Sequence, residues 1–98
     1  MFVAAWRFTT SDRDAFERHY GPDGTWAQLF RRGDGYVRTD LLTDGTAYVT
    51  LDWWTSRDAY DAFRREHADE YARIDLECES LTLSEESLGH FEEVAGRM

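Results

Sequence analysis

An α+β fold, one antiparallel sheet of four strands with helices on one face, is what this sequence of 98 residues predicts. Three observations carry it. Segments of aromatic and β-branched residues alternate with a period of two, as half-buried strands do. Hydroxyl-then-acid helix starts lead into apolar residues spaced by three and four. An Asp-Gly turn joins two of the alternating segments. The resulting order, strand-helix-strand-strand-helix-strand, is the split βαβ or ferredoxin-like pattern.

Phe2 to Thr9 predicts the first strand, with Phe2, Ala4, Trp6 and Phe8 on one face and Val3, Ala5 and Arg7 on the other. Ser11 followed by Asp12 and Asp14 marks a helix start, because a capping oxygen and first-turn acids satisfy free N–H groups and oppose the dipole. Ala15, Phe16, His19 and Tyr20 share one face of this helix. Gly21-Pro22-Asp23-Gly24 interrupts it, and Thr25 to Arg32 forms a second helical piece with Trp26, Leu29 and Phe30 inward. Tyr36 to Leu42 is the second strand, Thr43-Asp44-Gly45 a hairpin turn, and Ala47 to Trp54 the third strand. Its faces are Tyr48, Thr50, Asp52 and Trp54 against Ala47, Val49, Leu51 and Trp53. Thr55 or Ser56 caps a long helix whose stripe runs unbroken through Tyr60, Phe63, His67, Tyr71, Ile74, Cys78 and Leu81. Leu83 to Ser87 is then a loop and Ser87 to Val94 the last strand.

No linker or repeat divides the chain, so residues 1–98 form one domain. The helices cover one face of the sheet. The other face still carries Val37 and Leu51, and packing two such sheets together predicts a symmetric homodimer.

Composition bounds the function. The net charge of −9, with every base an Arg, disfavours nucleic acid and anionic membranes as partners, since cations supply most of that affinity. No apolar run approaches the ~20 residues of a membrane span. The N-terminal MFVAAWRF has no basic leader, and the lone Cys78 cannot form an internal disulfide. Together these predict a protein of the reducing cytoplasm. Four Trp, five Tyr and six Phe provide flat apolar walls for a flat small molecule as well as a core.

The segments FVAAWRF, DAFERHYGPDGTWAQLFRRGDGY, AYVTLDWWTSRDAYDAF and LTLSEESLGHFEE resemble the antibiotic-biosynthesis-monooxygenase-type domains of the dimeric α+β-barrel superfamily over nearly the whole length. The most similar piece is the strand-end Trp54 followed by Thr-Ser and an aromatic helix. The resemblance implies a homodimer whose sheets close into a barrel, each protomer holding a pocket between its own sheet and helices. It implies oxygen insertion into an electron-rich aromatic such as an anthrone or quinol, without metal or flavin. Some members of the group degrade haem, with an Asn near the end of strand one, a Trp ending strand three and a His shortly after. Here Trp6 holds the Asn position and His67 lies too far along the helix, two departures that count against haem.

Cofactor-free oxygenation asks the protein for a dry pocket, aromatic walls, a base and donors for an oxyanion. The candidate catalytic residues are His67, Arg38 and Asp52; the candidate substrate-binding residues are Trp6, Tyr48, Trp54, Tyr60 and Tyr71. His67 is the best base by residue type, but it also fits a boundary histidine bonded to a carbonyl or near Glu70. Arg38 could hold an oxyanion bidentately or pair with Asp40 or Asp52 across strands. Asp52 is a desolvated base or a partner for Arg. His90 has a weaker case and His19 falls at the rim of its helix. Trp26 and Trp53 fit the core or the dimer interface. No second His or Cys stands at ligand distance, which disfavours a metal, and GDG and GPDG are turns rather than phosphate loops. Besides oxygenation, a non-catalytic barrel binding a small hydrophobic ligand, or isomerase or cyclase chemistry in the same pocket, satisfies these residues.

Overall fold

The computed structural model describes residues 1–94. Its elements are β1 (Phe2–Thr9), α1 (Arg13–Tyr20), α2 (Thr25–Phe30), β2 (Tyr36–Thr43), β3 (Tyr48–Trp54), α3 (Arg57–Glu66), α4 (Ala68–Cys78), a 3₁₀ turn (Glu79–Leu81) and β4 (Ser84–Glu92). The strands form one four-stranded sheet in the order β2-β3-β1-β4, with every neighbouring pair antiparallel. This is the ferredoxin-like α+β arrangement that the alternation and turn chemistry predict.

Local chemistry accounts for the boundaries. Asp12, not Ser11, caps α1: its Oδ1 accepts from the Ala15 N–H at 3.1 Å. Ser56 Oγ does the same for Ala59 at 3.1 Å and starts α3. In the β2–β3 turn Asp44 Oδ1 accepts from the N–H groups of Thr46 and Ala47, both at 2.8 Å, which holds its carboxyl below the usual range. Gly45 supplies the φ of +93° that this turn requires.

The predicted long helix is two helices. His67 leaves helical geometry (φ −118°, ψ 27°), ending α3 and starting α4. The stripe survives the break because backbone bonds cross it: His67 N–H donates to Phe63 O and Tyr71 N–H to His67 O, each at 2.9 Å. The kink redirects the stripe. Tyr60 and Phe63 of α3 pack on Trp54, while Tyr71 of α4 packs on Trp26 of α2.

The last strand begins at Ser84, three residues before the predicted Ser87, and ends at Glu92, before Val94. Its first half, Ser84 to Ser87, is polar and lacks the residues that favour strands, yet β1 templates it: Thr9 pairs with Ser84, and Leu83 N–H donates to Thr9 O at 2.8 Å. The β1–β4 register shifts between Ala5 and Trp6, where Leu88 is the extra residue of a bulge beside Gly89 (φ +122°).

The inner face of the sheet and the helices enclose an aromatic core around Trp54, Phe2, Phe16 and Phe63, all nearly inaccessible. Trp54 is fully buried between Phe30, Tyr36, Tyr60 and Phe63, and its indole N–H has no hydrogen-bond partner among the described residues. Trp54→Ala is therefore expected to cost about 3–5 kcal/mol of stability, the usual range for emptying a large aromatic site. Trp54→Phe should cost much less, because no indole hydrogen bond is lost; denaturant unfolding of both variants checks the difference.

Candidate functional site

A cavity with about 380 Å³ of atom-free space, part of it open to solvent, lies between the inner face of the sheet and the helices. Strand alternation builds its floor. Trp6 and Phe8 come from β1, Thr39 from β2, and Thr50 and Asp52 from β3. Tyr20 of α1, Trp26 and Phe30 of α2, and Tyr71 and Asp75 of α4 form the roof, and Glu85 of β4 closes one side.

Asp52 is the chemically unusual group. It is only 8% exposed, and Thr39, its direct partner across the strands, donates a hydrogen bond to its Oδ1 at 2.8 Å. The Thr39 hydroxyl also lies 2.8 Å from the Tyr36 hydroxyl; with its proton committed to Asp52, Thr39 accepts there and Tyr36 donates. The three groups form a directed chain, Tyr36 to Thr39 to Asp52. Among the described residues no cation pairs with Asp52. Burial pushes its carboxyl up to about 7, against which the Thr39 hydrogen bond pulls down. Thr39→Val is therefore expected to raise the Asp52 pKa further, because the hydroxyl favours the charged form. Carbon NMR of the aspartate carboxyls checks this.

The cavity walls supply donors that stay protonated. Burial raises the Tyr71 and Tyr20 hydroxyls well above their usual range, so both remain neutral phenols at physiological pH. Such hydroxyls can donate to a developing oxyanion.

Of the residues the sequence singles out, Trp6, Asp52 and Tyr71 meet at this cavity. The others lie elsewhere. Arg38 is on the opposite face of the sheet, paired with Asp40 at 3.2 Å and stacked over Trp53 at 5.2 Å. The cause is a β2 irregularity between Tyr36 and Arg38: Tyr36 pairs with Trp54, but Arg38 pairs with Trp53, so Val37 is an extra residue and everything after it changes face. His67 sits at the α3–α4 joint, its ring 5.1 Å from that of Phe63 and its Nδ1 3.0 Å from Glu70 Oε1. Tyr48 is buried under α1, accepting from Arg13 Nε at 2.9 Å and donating to Glu17. Tyr60 is buried against Phe2 and Trp54, its hydroxyl accepting from Arg64 at 2.8 Å. Trp54 is core, one layer from the cavity across Phe30.

Sequence reasoning did not single out Thr39, Thr50, Asp75 and Glu85. Thr39 had a legible signal, since it faces Asp52 in register, but that register depends on the Val37 bulge. Among the described residues no group of three or more His, Cys, Asp or Glu side chains is placed to hold a metal ion. Among the described residues no helix is long and apolar enough to cross a membrane.

No known protein-family profile matches the chain, and no curated protein does. Solved structures do match. Two structures of SnoaB, a cofactor-independent oxygenase from Streptomyces nogalater, superpose with TM-scores of 0.78 and 0.77 at 23% identity, covering 97% of this chain and 94% of that one. ActVA-Orf6, a monooxygenase of Streptomyces coelicolor solved with the ligand nanaomycin D, gives 0.73 at 20% identity over 99% of this chain and 90% of that one. A proposed antibiotic biosynthesis monooxygenase of Nitrosomonas europaea gives 0.65 at 13% identity over 97% of this chain and all of that one. The chain has the fold of these proteins, the one its sequence resembles.

Proposed function

We propose that this protein is a cofactor-independent monooxygenase of a quinol-like or polyketide-like aromatic, with Asp52 as the base. The observation that carries this is a buried carboxylate without a cation partner among the described residues, on the floor of an aromatic cavity, in a fold shared with SnoaB and ActVA-Orf6. Burial that pushes its carboxyl up to about 7 makes Asp52 a stronger base than an ordinary carboxylate while leaving it able to ionise near neutrality.

In this account Asp52 removes the proton and the substrate becomes an electron-rich anion. That anion gives one electron to O₂; the radical and superoxide combine to a peroxide. Loss of water from the peroxide converts a ring CH₂ to C=O, so one oxygen atom enters the product and the other leaves in water. Trp6, Trp26 and Tyr71 hold the ring, and Tyr71 donates to the oxyanion. Burial of Asp52, Thr39 and Thr50 at the floor limits the access of bulk water to the reacting atoms.

The same reading includes a homodimer formed through the outer face of the sheet. Val49, Leu51 and Trp53 are partly exposed there, and Leu42 and Phe91 are about half exposed. A sheet face of this kind seeks a partner. Sedimentation at micromolar concentration should give a dimer; a stable, folded single-subunit species contradicts this part.

Oxygen uptake over a panel of anthrones and hydroquinones tests the function. The expected result is consumption above buffer that stops under Asp52→Asn. A folded protein with no uptake on any panel member leaves the alternative, a small-molecule binder. Product formed without O₂ would instead identify isomerase or cyclase chemistry.

A further inference from the structure

Tyr36 does not line the cavity, yet a chain of hydrogen bonds ties it to the carboxylate on the cavity floor. Residues three apart on a regular strand point to opposite faces of the sheet. Tyr36 and Thr39 nevertheless both turn inward. The Tyr36 ring packs on Phe30 and Trp54, and Thr39 is buried beside Asp52. The extra residue Val37 is the cause, because it adds one step to the alternation between them. In an unbulged strand the two side chains would point apart; here their hydroxyls stand 2.8 Å from each other.

The chain runs in one direction. Tyr36 donates to Thr39 and Thr39 donates to Asp52 Oδ1, so the first bond makes Thr39 a stronger donor in the second. Oδ1 is thereby occupied, and among the described residues Oδ2 accepts no hydrogen bond. Burial raises the Tyr36 phenol, against the pull of its Thr39 hydrogen bond and with a smaller push from the charge of Asp52, so Tyr36 remains a neutral donor. The other ionisable groups lining the cavity are Tyr20 of α1, Tyr71 and Asp75 of α4, and Glu85 of β4, with Arg64 stacked on the Tyr71 ring at 4.0 Å. Asp23 and Arg31, from either end of α2, act on Tyr36 through their charges. Among the described residues none of these groups hydrogen-bonds to Tyr36, Thr39 or Asp52.

We propose that Tyr36 is a positioning residue for Asp52: acting through Thr39, it fixes the carboxylate with Oδ1 bound and Oδ2 free to take the substrate proton. This rests on Asp52 being the base of the proposed reaction. The bulge at Val37 is then the device that brings a residue outside the cavity to bear on the base inside it. Each hydroxyl has its own part. Thr39 touches the carboxylate and favours its charged form; Tyr36 touches only Thr39 and strengthens that donation. The effect of Tyr36 on Asp52 therefore requires the Thr39 hydroxyl, which a chain acting only as packing would not.

Carbon NMR titration of the Asp52 carboxyl in the full chain tests this. Tyr36→Phe removes one hydroxyl and keeps the ring on Phe30 and Trp54. It should raise the Asp52 midpoint by roughly 0.2–0.5 pH unit, the size of one bond's cooperative effect on its neighbour. Thr39→Val, or Thr39→Ala where the valine does not fold, should raise it by about one pH unit. In that background Tyr36→Phe should change nothing. Thr39→Ser keeps the hydroxyl and should restore both the wild-type midpoint and its response to Tyr36→Phe. In oxygen uptake, the acid limb of the rate–pH profile should move with the midpoint in each variant. A midpoint untouched by Tyr36→Phe, or an equal shift with and without the Thr39 hydroxyl, overturns the proposal and leaves Asp52 as the base. The expected NMR pattern in a protein that consumes no oxygen upholds the hold of Tyr36 on Asp52 and overturns the oxygenase reading instead.

Discussion

Asp52→Asn is expected to lower the rate of oxygen uptake roughly 10²–10⁴-fold, the usual contribution of a positioned general base. The substitution keeps the size of the side chain and an oxygen that can accept from Thr39, so the cavity walls are preserved. What is lost is, among the described residues, the only buried carboxylate lining the cavity. In the wild type, activity should climb with pH and level off above about 7, because the base must be ionised and burial holds its carboxyl near that value. The variant's residual activity should lack this limb. A variant as active as wild type, or a wild-type profile flat down to pH 5, contradicts the role. Rate–pH profiles on one substrate decide it.

The same substitution should stabilise the fold, increasingly so as pH rises. Burial raises the folded pKa of Asp52 from 3.8 to about 7. On raising the pH, the unfolded carboxyl ionises first, near 4, while the folded one must stay protonated or be charged in a poorly solvating site. Wild-type stability contributed by this group is therefore full below pH 4, falls between about 4 and 7, and stays low above. Asn pays none of this. The gain of Asp52→Asn over wild type should be small near pH 4 and reach the order of a few kcal/mol by pH 8. At roughly 4–8 °C per kcal/mol for a domain this size, melting curves across pH resolve it easily. A gain independent of pH would mean the carboxyl is not strained. Lost activity with gained stability is the expected signature of a functional group held where the fold alone would not put it.

The sheet was legible because β1 and β3 alternate strongly and carry large residues. That alternation also placed Trp6 and Asp52 on the inner face, and helical spacing placed Tyr71 above them. Where single residues break a period, the sequence misleads. The extra residue Val37 turns Arg38 outward and brings Thr39 in, reversing a face assignment that alternation makes confidently. His67 keeps the apolar spacing while leaving helical geometry, so its stripe conceals a joint. The polar start of β4 is a strand only because β1 offers an unpaired edge, a tertiary cause with no local trace. Asp75 and Glu85 look like any solvated acids until α4 and β4 bring them to one opening.

Everything functional here depends on a carboxylate that titrates near neutrality inside an aromatic cavity. Carbon NMR titration of the aspartate side chains, with Asp52→Asn assigning the resonance, measures that directly. A midpoint near 7 that moves when a flat aromatic ligand is added is the predicted result. A midpoint near 4, unmoved by ligand, would describe a well-hydrated surface acid and contradict the account.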